Sequence, residues 1–432
     1  MKHRILNTSI LVFFFVFISK GLNLLGWNLI VPPATYRVFI IIAFGYYYYV
    51  SISSSLQHIP LSQFATFYLF WPLIPCFSTL LYGGDIFREM GLTLNWTFIA
   101  ILFFVYTKGK FGESDIMRPI SIIALITVLI QVIEQLNPEI AIFGVVDPTS
   151  ENYEGDIASV RNGMYRLNVG CYTIQMLCLF YYWDKFINKG GIASFVMVFL
   201  MIISIYLYLT RQIIIAVIIT FVLSIFLIKK RNQMFLIALV IIFMGGLLGI
   251  YWEELFGDFI ARYEKNSYTT DIREECIIFT LSQFVNNPLG SFLGHGHLLI
   301  EEKWKNRGYY MSDIGFIGES FYYGLIWAFA YFLLLYKLLI ANWRKIPLYA
   351  KSYLIASGII SIFMFPYRDR PEMFTWMCVL YLCSLQITNT TIPLKWTNRS
   401  LKILKYSLLR VVLRARRFEI VSSQSKQKDA YE

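Results

Sequence analysis

Charge is scarce in this 432-residue chain, of which Asp, Glu, Lys and Arg make up only 15%, and histidine occurs only four times. A soluble domain usually carries about 25–35% charged residues on its surface, so this composition argues against a soluble protein. The six cysteines lie mostly in apolar runs, where a thiol packs as a small hydrophobic group. A disulfide framework is therefore not expected.

Long hydrophobic runs dominate the rest, with 57% apolar residues arranged in blocks of about 20, the length needed to cross a bilayer. The pattern predicts an all-α polytopic transmembrane bundle of about twelve spans. The predicted spans are 7–25, 35–54, 61–82, 91–107, 117–136, 166–184, 191–209, 212–228, 234–252, 314–340, 350–366 and 372–388.

Basic residues indicate the orientation. Most of the 38 Lys and Arg residues fall in alternate connectors and in the C-terminal tail, which the positive-inside rule assigns to the cytoplasm. Both termini are thus predicted to be cytoplasmic. The net charge of +11 then reflects membrane topology, and no nucleic-acid partner is expected.

The predicted membrane domain covers residues 1–394, with external loops at about 137–165 and 253–313. No connector is large enough for a soluble catalytic domain, so an active site is expected at the outer membrane face. The basic tail, 395–432, is compatible with a helix on anionic lipid or with a disordered end that only sets orientation.

The second external loop contains a predicted amphipathic helix. Asp271 and Glu274 resemble a capping box at its start, and the Asn-Asn-Pro-Leu-Gly run at 286–290 should end it. Its predicted apolar stripe consists of Ile277, Leu281, Phe284 and Val285.

Arginines supply the candidate anion site. Arg161, Arg166, Arg211 and Arg273 are all predicted near the outer face, where forked guanidinium donors could bind a phosphate-bearing lipid. Simpler roles stay open: Arg211 as an interfacial anchor, and Arg273 in a salt bridge with Glu274 or Glu275. Two secondary candidates, Arg368 and Arg370 at the last outer turn, could instead pair with Asp369 and Glu372.

Histidines and acids supply the candidate proton-transfer groups. His295 and His297 in the Gly-His-Gly-His run could bond a substrate, act as a base or lie in a solvated turn. A metal site needs three or four ligands, and no further histidine is predicted outside, so no metal is expected. Asp313 and Glu319, before and inside the tenth span, are better placed for function, because acids at such depth must be paired, hydrated or neutral.

Three segments together resemble the O-antigen polymerase and O-antigen ligase superfamily of bacterial inner-membrane proteins. They are TRQIII at 210–215, an arginine followed by NNPLGSFLGHG at 273–296, and SDIGFIGESFYYGLIWAF at 312–329, within a similar stretch of roughly 160–330. The resemblance implies a GT-C-like, all-helical membrane glycosyltransferase. It also implies that Arg166, Arg211 and Arg273 bind pyrophosphate or glycan.

One departure bears on mechanism. Many members carry a histidine where this chain has Met311, Ser312 and Asp313, so Asp313 or His297 is the candidate replacement. The implied substrate is an undecaprenyl-pyrophosphate-linked oligosaccharide, polymerised into O-antigen, capsular or exopolysaccharide without a cofactor. A chain-length regulator and a flippase are the implied partners, besides membrane lipids.

Two alternatives stay open. A ligase, which transfers the finished glycan to a lipid A core or another acceptor, shares the donor chemistry. A flippase or secondary transporter would need polar or helix-breaking positions near mid-membrane in paired halves. Residues Glu134 and Glu319 facing a central tunnel would favour that class.

Overall fold

In a computed structural model of the chain, the described residues are 111–137, 160–161, 164–165, 167, 172–227, 267–296, 311–364 and 370–390. Most of them are helical, which confirms the all-α class for this part of the protein. The first four predicted spans, the span 234–252 and the tail 395–432 lie outside these residues. The number of spans therefore stays a prediction.

Ten helices and one hairpin make up the described part. The helices are α1 (Glu113–Leu136), α2 (Tyr172–Lys189), α3 (Ile192–Leu207), α4 (Arg211–Phe226), α5 (Ser267–Asn286), α6 (Pro288–Leu293), α7 (Gly315–Tyr323), α8 (Leu325–Tyr336), α9 (Leu348–Phe363) and α10 (Arg370–Thr390). A 3-10 turn, Met311–Ile314, precedes α7, and a π-helical turn, Lys337–Ala341, follows α8. The antiparallel strands β1 (Val160–Arg161) and β2 (Met164–Tyr165) form the hairpin.

The predicted span 314–340 is wrong as one continuous helix. It is broken at Gly324, whose φ of 92° lies in the left-handed region. A side chain there would also overlap the carbonyl oxygen of Phe292 in α6, so only glycine fits this crossing. The break divides the segment into α7, which carries Gly315 and Gly318, and the apolar α8.

The boundaries of two further helices, α5 and α2, differ from the prediction. Helix α5 starts at Ser267, so Asp271 lies inside it and the predicted cap at Asp271 is wrong. Helix α2 is Tyr172–Lys189 where 166–184 was predicted, so it starts six residues later and continues five residues past Asp184. The Asp184 carboxylate is accommodated there, because it accepts hydrogen bonds from the Tyr349 backbone N–H at 3.4 Å and from the Asn188 side chain at 2.5 Å.

Contacts between helix ends show an alternating, antiparallel bundle. At one end the Thr173 and Thr375 hydroxyls lie 3.2 Å apart, and the Tyr172 and Tyr208 rings pack edge to face. We call this the Arg211 end, because α4 starts here with Arg211, three residues after Tyr208. At the opposite end, the Tyr381 hydroxyl donates to the Phe111 carbonyl at 2.9 Å.

The bundle has apolar residues on its exterior and buries a set of polar residues within a largely apolar core. In α1, the buried face carries Thr127, Gln131 and Glu134. Its exposed face carries Ile122, Ile126, Leu129, Ile133 and Leu136. Buried polar groups also join helices, as where the Ser204 hydroxyl donates to Gln131 Oε1 at 2.5 Å. Apolar side chains on the exterior and hydrogen bonds between buried polar side chains are both typical of helices packed in lipid.

Helix length is a stricter test for a membrane-spanning segment. Among the described helices, α1 is both long and apolar enough to cross a membrane by itself. Shorter apolar segments of 10–17 residues lie in α3, α4, α9 and α10 and in α8 with its π-helical turn.

Candidate functional site

Several of the predicted site residues lie at the Arg211 end of the bundle. Arg211 and Arg370 begin α4 and α10 there. Arg161 belongs to the hairpin, which is tied to the same end by Gln135 near the C-terminus of α1. The Gln135 side chain bonds both backbone groups of Tyr165, accepting from its N–H at 3.0 Å and donating to its carbonyl.

For these arginines the structure describes the backbone alone. Arg166, Arg368 and His297 lie outside the described residues. The proposed convergence of Arg166, Arg211 and Arg273 on one diphosphate thus stays a prediction.

The best-defined part of the candidate site is an ion pair between Arg273 and Asp313. Arg273 Nη2 lies 3.9 Å from Asp313 Oδ2, and both side chains are about half exposed, at 50% and 51%. A loose, solvated pair of this kind adds little stability, since exposed pairs contribute about 0–1 kcal/mol. Both groups therefore reach the solvent. The sequence had suggested Glu274 or Glu275 as a partner of Arg273, and the structure places Asp313 beside it.

Packing below the ion pair positions Asp313. Met311, in the same 3-10 turn, is buried against the face of α5 that carries Cys276 and Thr280. Its Sδ lies 3.7 Å from Cys276 Sγ and 3.4 Å from the Thr280 hydroxyl. Arg273 precedes Cys276 by about one helical turn on that face. The methionine contact therefore fixes the turn so that Asp313 lies beside Arg273.

Cys276 lies under the ion pair and does not ionise at neutral pH. Burial, and secondarily the nearby Asp313 carboxylate, raises the pKa of its thiol to about 11. A protonated thiol at this position packs as a small apolar group between α5 and the Asp313 turn.

The two candidate acids differ in accessibility. Asp313 is half exposed, whereas Glu319, in α7, is 1% exposed. A substrate arriving at the Arg211 end meets Asp313 first, because the start of α7 packs against the C-terminal end of α9 there. The geometry favours Asp313 over Glu319 as the group that contacts substrate.

His295 is buried, so the interpretation of a solvated turn histidine is wrong for this residue. Its ring stacks on Phe321 with centroids 4.0 Å apart, and its Nδ1 lies 3.2 Å from the Phe321 carbonyl oxygen. The backbone N–H groups of His295 and Gly296 donate to the carbonyls of Phe321 and Tyr322 at 3.0 and 3.2 Å. His295 thus fastens the segment after α6 to the C-terminal half of α7.

The protonation of His295 should make this connection sensitive to acid. Burial lowers the pKa of His295, and the bond to Phe321 opposes this only in part. The unfolded chain, with an ordinary histidine pKa of about 6.5, then binds the proton more readily than the native state. His295 should therefore contribute full stability above about pH 6.5, and this contribution should fall as the pH drops further.

Thermal unfolding of the purified protein at pH 7.5 and at pH 5 should show this loss. The variant His295→Gln lacks the titrating group, and we expect a smaller difference between the two pH values for it. An equal decrease in Tm for the parent and the variant would show that other groups cause the acid sensitivity.

The hairpin was not predicted from the sequence, although the sequence contains a local indicator of it. Asn162 and Gly163 connect β1 to β2, and an Asn-Gly pair between two strands is a strong hairpin indicator. The flanking strands have only two residues each, too short for an alternating pattern to stand out. The consequence is functional, because this hairpin carries Arg161 at the Arg211 end.

Within the described ranges, no three His, Cys, Asp or Glu side chains are grouped closely enough to hold a metal ion. In comparisons with known proteins, no family model, no curated protein and no solved structure matches this chain.

Proposed function

We propose that the chain is a membrane-embedded glycosyltransferase that polymerises undecaprenyl-pyrophosphate-linked repeat units at the outer face of the bacterial inner membrane. In this proposal the bundle is GT-C-like, has about twelve spans and keeps both termini in the cytoplasm. The observation that carries it is the half-exposed Arg273–Asp313 pair at one end of a bundle with an apolar exterior.

The proposed reaction needs no nucleotide, because the lipid diphosphate is already a good leaving group. A hydroxyl oxygen of the acceptor repeat unit attacks the anomeric carbon of the donor glycan. The bond between that carbon and the diphosphate oxygen breaks, and undecaprenyl pyrophosphate leaves with the bonding electron pair. The hydroxyl proton passes to the Asp313 carboxylate, which acts as the general base.

Arg273 has two roles in this scheme. Its guanidinium stabilises the negative charge that develops on the departing diphosphate, and it does so best with forked hydrogen bonds. When the diphosphate takes over Arg273, the loose contact to Asp313 breaks. The half-exposed Asp313 carboxylate accepts the hydrogen bond from the acceptor hydroxyl at its solvent-facing side.

Purified protein in vesicles that contain only lipid-linked repeat units provides the test. We expect a ladder of longer lipid-linked glycans for the parent protein. Arg273→Ala should lower its rate of formation about 10²–10³-fold, the usual cost of removing one transition-state donor. Arg344→Ala, which removes an exposed arginine between α8 and α9, is the matched control and should behave as the parent.

Deletion of the gene in its host separates polymerase from ligase. Single repeat units on the final acceptor indicate lost polymerisation, whereas long polymer retained on the lipid carrier indicates lost ligation. Parent vesicles that form no ladder, together with retained polymer in the deletion strain, would contradict the polymerase proposal.

One observation favours transport as a second candidate function. Glu134 and Glu319 are buried in the bundle, at 0% and 1% exposure, and buried acids in membrane helices commonly mark ion or substrate paths. Sealed vesicles with lipid-linked glycan on one side distinguish the two functions. A transporter moves the glycan across without lengthening it.

A further inference from the structure

The loop helix α5 and the short helix α6 expose a continuous row of large apolar side chains. The row consists of Ile278, Leu281, Val285, Leu289 and Phe292, which are all at least half exposed. In α5 their spacing of three and four residues keeps them on one face. Val285, at 78% exposure, projects furthest from the protein. We call this row the loop stripe.

The loop stripe is separate from the face by which α5 packs on the bundle. The packed face carries the buried Cys276 and Thr280, with Ile277 and Phe284 against the core. A third, exposed face carries Glu275, Ser282 and Asn286. Helix α5 thus has three faces. The packed face contacts the bundle, the loop stripe points away from the bundle, and the polar face lies beside the loop stripe.

The loop stripe continues into another apolar surface. Helix α6 packs against α8. Helix α8 in turn exposes Phe329 and Phe332, besides Leu325 and Ile326 at its start. Neither α6 nor α8 contains a charged residue, so among these described helices the apolar exterior extends from α8 across α6 onto α5.

We infer that the loop stripe is immersed in the hydrocarbon of the membrane, with lipid acyl chains as its occupant. This inference rests on the proposed membrane embedding of the bundle. It is favoured by the continuity with α8 and by the polar face of Glu275, Ser282 and Asn286 beside the stripe, since interfacial helices combine these two faces. Isolated apolar residues are common on soluble surfaces, but a row of five along two successive helices is not.

Immersion would also set the depth of the candidate site. An interfacial helix lies along the membrane plane, so Arg273, five residues and about 7.5 Å along the axis before Ile278, is held at about the depth of the helix axis. If the stripe lies in hydrocarbon, Arg273 and Asp313 lie at about the level of the lipid phosphates. The site would then accept diphosphates that are held at the membrane surface by a lipid tail.

Spin labels can test the inference in vesicles without any glycan substrate. In a background whose reactive native cysteines are replaced, single labels are attached at Val285→Cys in the loop stripe, Ser282→Cys on the polar face and Phe329→Cys on α8. Collision rates are then measured with oxygen, which partitions into lipid, and with a water-soluble nickel chelate. Equal thermal stability of the labelled variants verifies their folding.

We expect labels at Val285 and Phe329 to collide several-fold more with oxygen than with nickel, and the label at Ser282 to show the reverse. A label at Val285 that resembles Ser282, while Phe329 stays in lipid, would overturn the inference but leave the membrane bundle intact. Low collision with both reagents at Val285, or dipolar broadening between copies, would assign the stripe to protein contact and also overturn it. Aqueous behaviour at all three positions would overturn the membrane embedding itself.

Discussion

Asp313→Asn is expected to reduce the rate of glycan polymerisation in vesicles by about 10²–10⁴-fold, the range for loss of a general base. Asparagine has nearly the same shape as aspartate, so the Met311 contact that positions the turn should persist. The amide cannot take the proton of the acceptor hydroxyl, however. The binding of lipid-linked repeat units should change much less than the rate, because Arg273 stays in place to bind the diphosphate.

Two further variants show whether the loss of activity is specific to Asp313. Asp115→Asn is the matched control, because Asp115 lies in the first turn of α1 and accepts a hydrogen bond from the Gly112 backbone N–H at 3.0 Å, which the amide oxygen of asparagine can also accept. Glu319→Gln changes the buried alternative acid. Normal polymerisation by Asp313→Asn with a large loss in Glu319→Gln would reverse their roles. Equal losses in Asp313→Asn and Asp115→Asn would indicate general damage.

Helices bounded by charges were the most predictable part of the fold. The spans predicted at 117–136, 191–209 and 212–228 match α1, α3 and α4 within a few residues. Long apolar runs there end where charged or turn-forming residues begin, and both signals are local. The end of α5 at Asn286 was predictable for the same reason, since Pro288 cannot continue the helix.

Features that depend on tertiary contact were not predictable. A glycine in an apolar run is compatible with a continuous helix, so the break at Gly324 could not be predicted. Only the structure shows that the Phe292 carbonyl leaves no room for a side chain there. The predicted stripe of α5 mixed two faces: Ile277 and Phe284 pack on the core, whereas Leu281 and Val285 are exposed. Hydrophobicity alone cannot distinguish a face that meets protein from one that meets lipid.

In the candidate site, too, local features were predictable and tertiary contacts were not. The residue types at Arg273 and Asp313 were identified from sequence, because a cation and an acid are conspicuous among apolar residues. Their pairing was not, since forty residues separate them and Glu274 and Glu275 are much nearer in sequence. Burial of His295 likewise depends on Phe321, which belongs to another helix.

Gly318→Ala is expected to inactivate the protein by displacing the turn that carries Asp313. A methyl group at Gly318 would overlap the carbonyl group of Met311, which is backbone and cannot rotate away. The turn must shift, and with it the packing of Met311 on Cys276 and Thr280. We expect a lower Tm in detergent and a loss of polymerisation in vesicles comparable with that of Asp313→Asn.

Gly358→Ala is the matched control, because Gly358 is also helical and a methyl group there meets nothing within 4 Å. Alanine is favoured over glycine inside a helix by about 1 kcal/mol, so this variant should keep or raise the Tm and keep its activity. A fall in activity with unchanged Tm in Gly318→Ala would assign the effect to the position of Asp313 relative to Arg273. Parent-like Tm and activity in Gly318→Ala would instead contradict the close approach of Met311 to α7, and with it the account of how Asp313 is held beside Arg273.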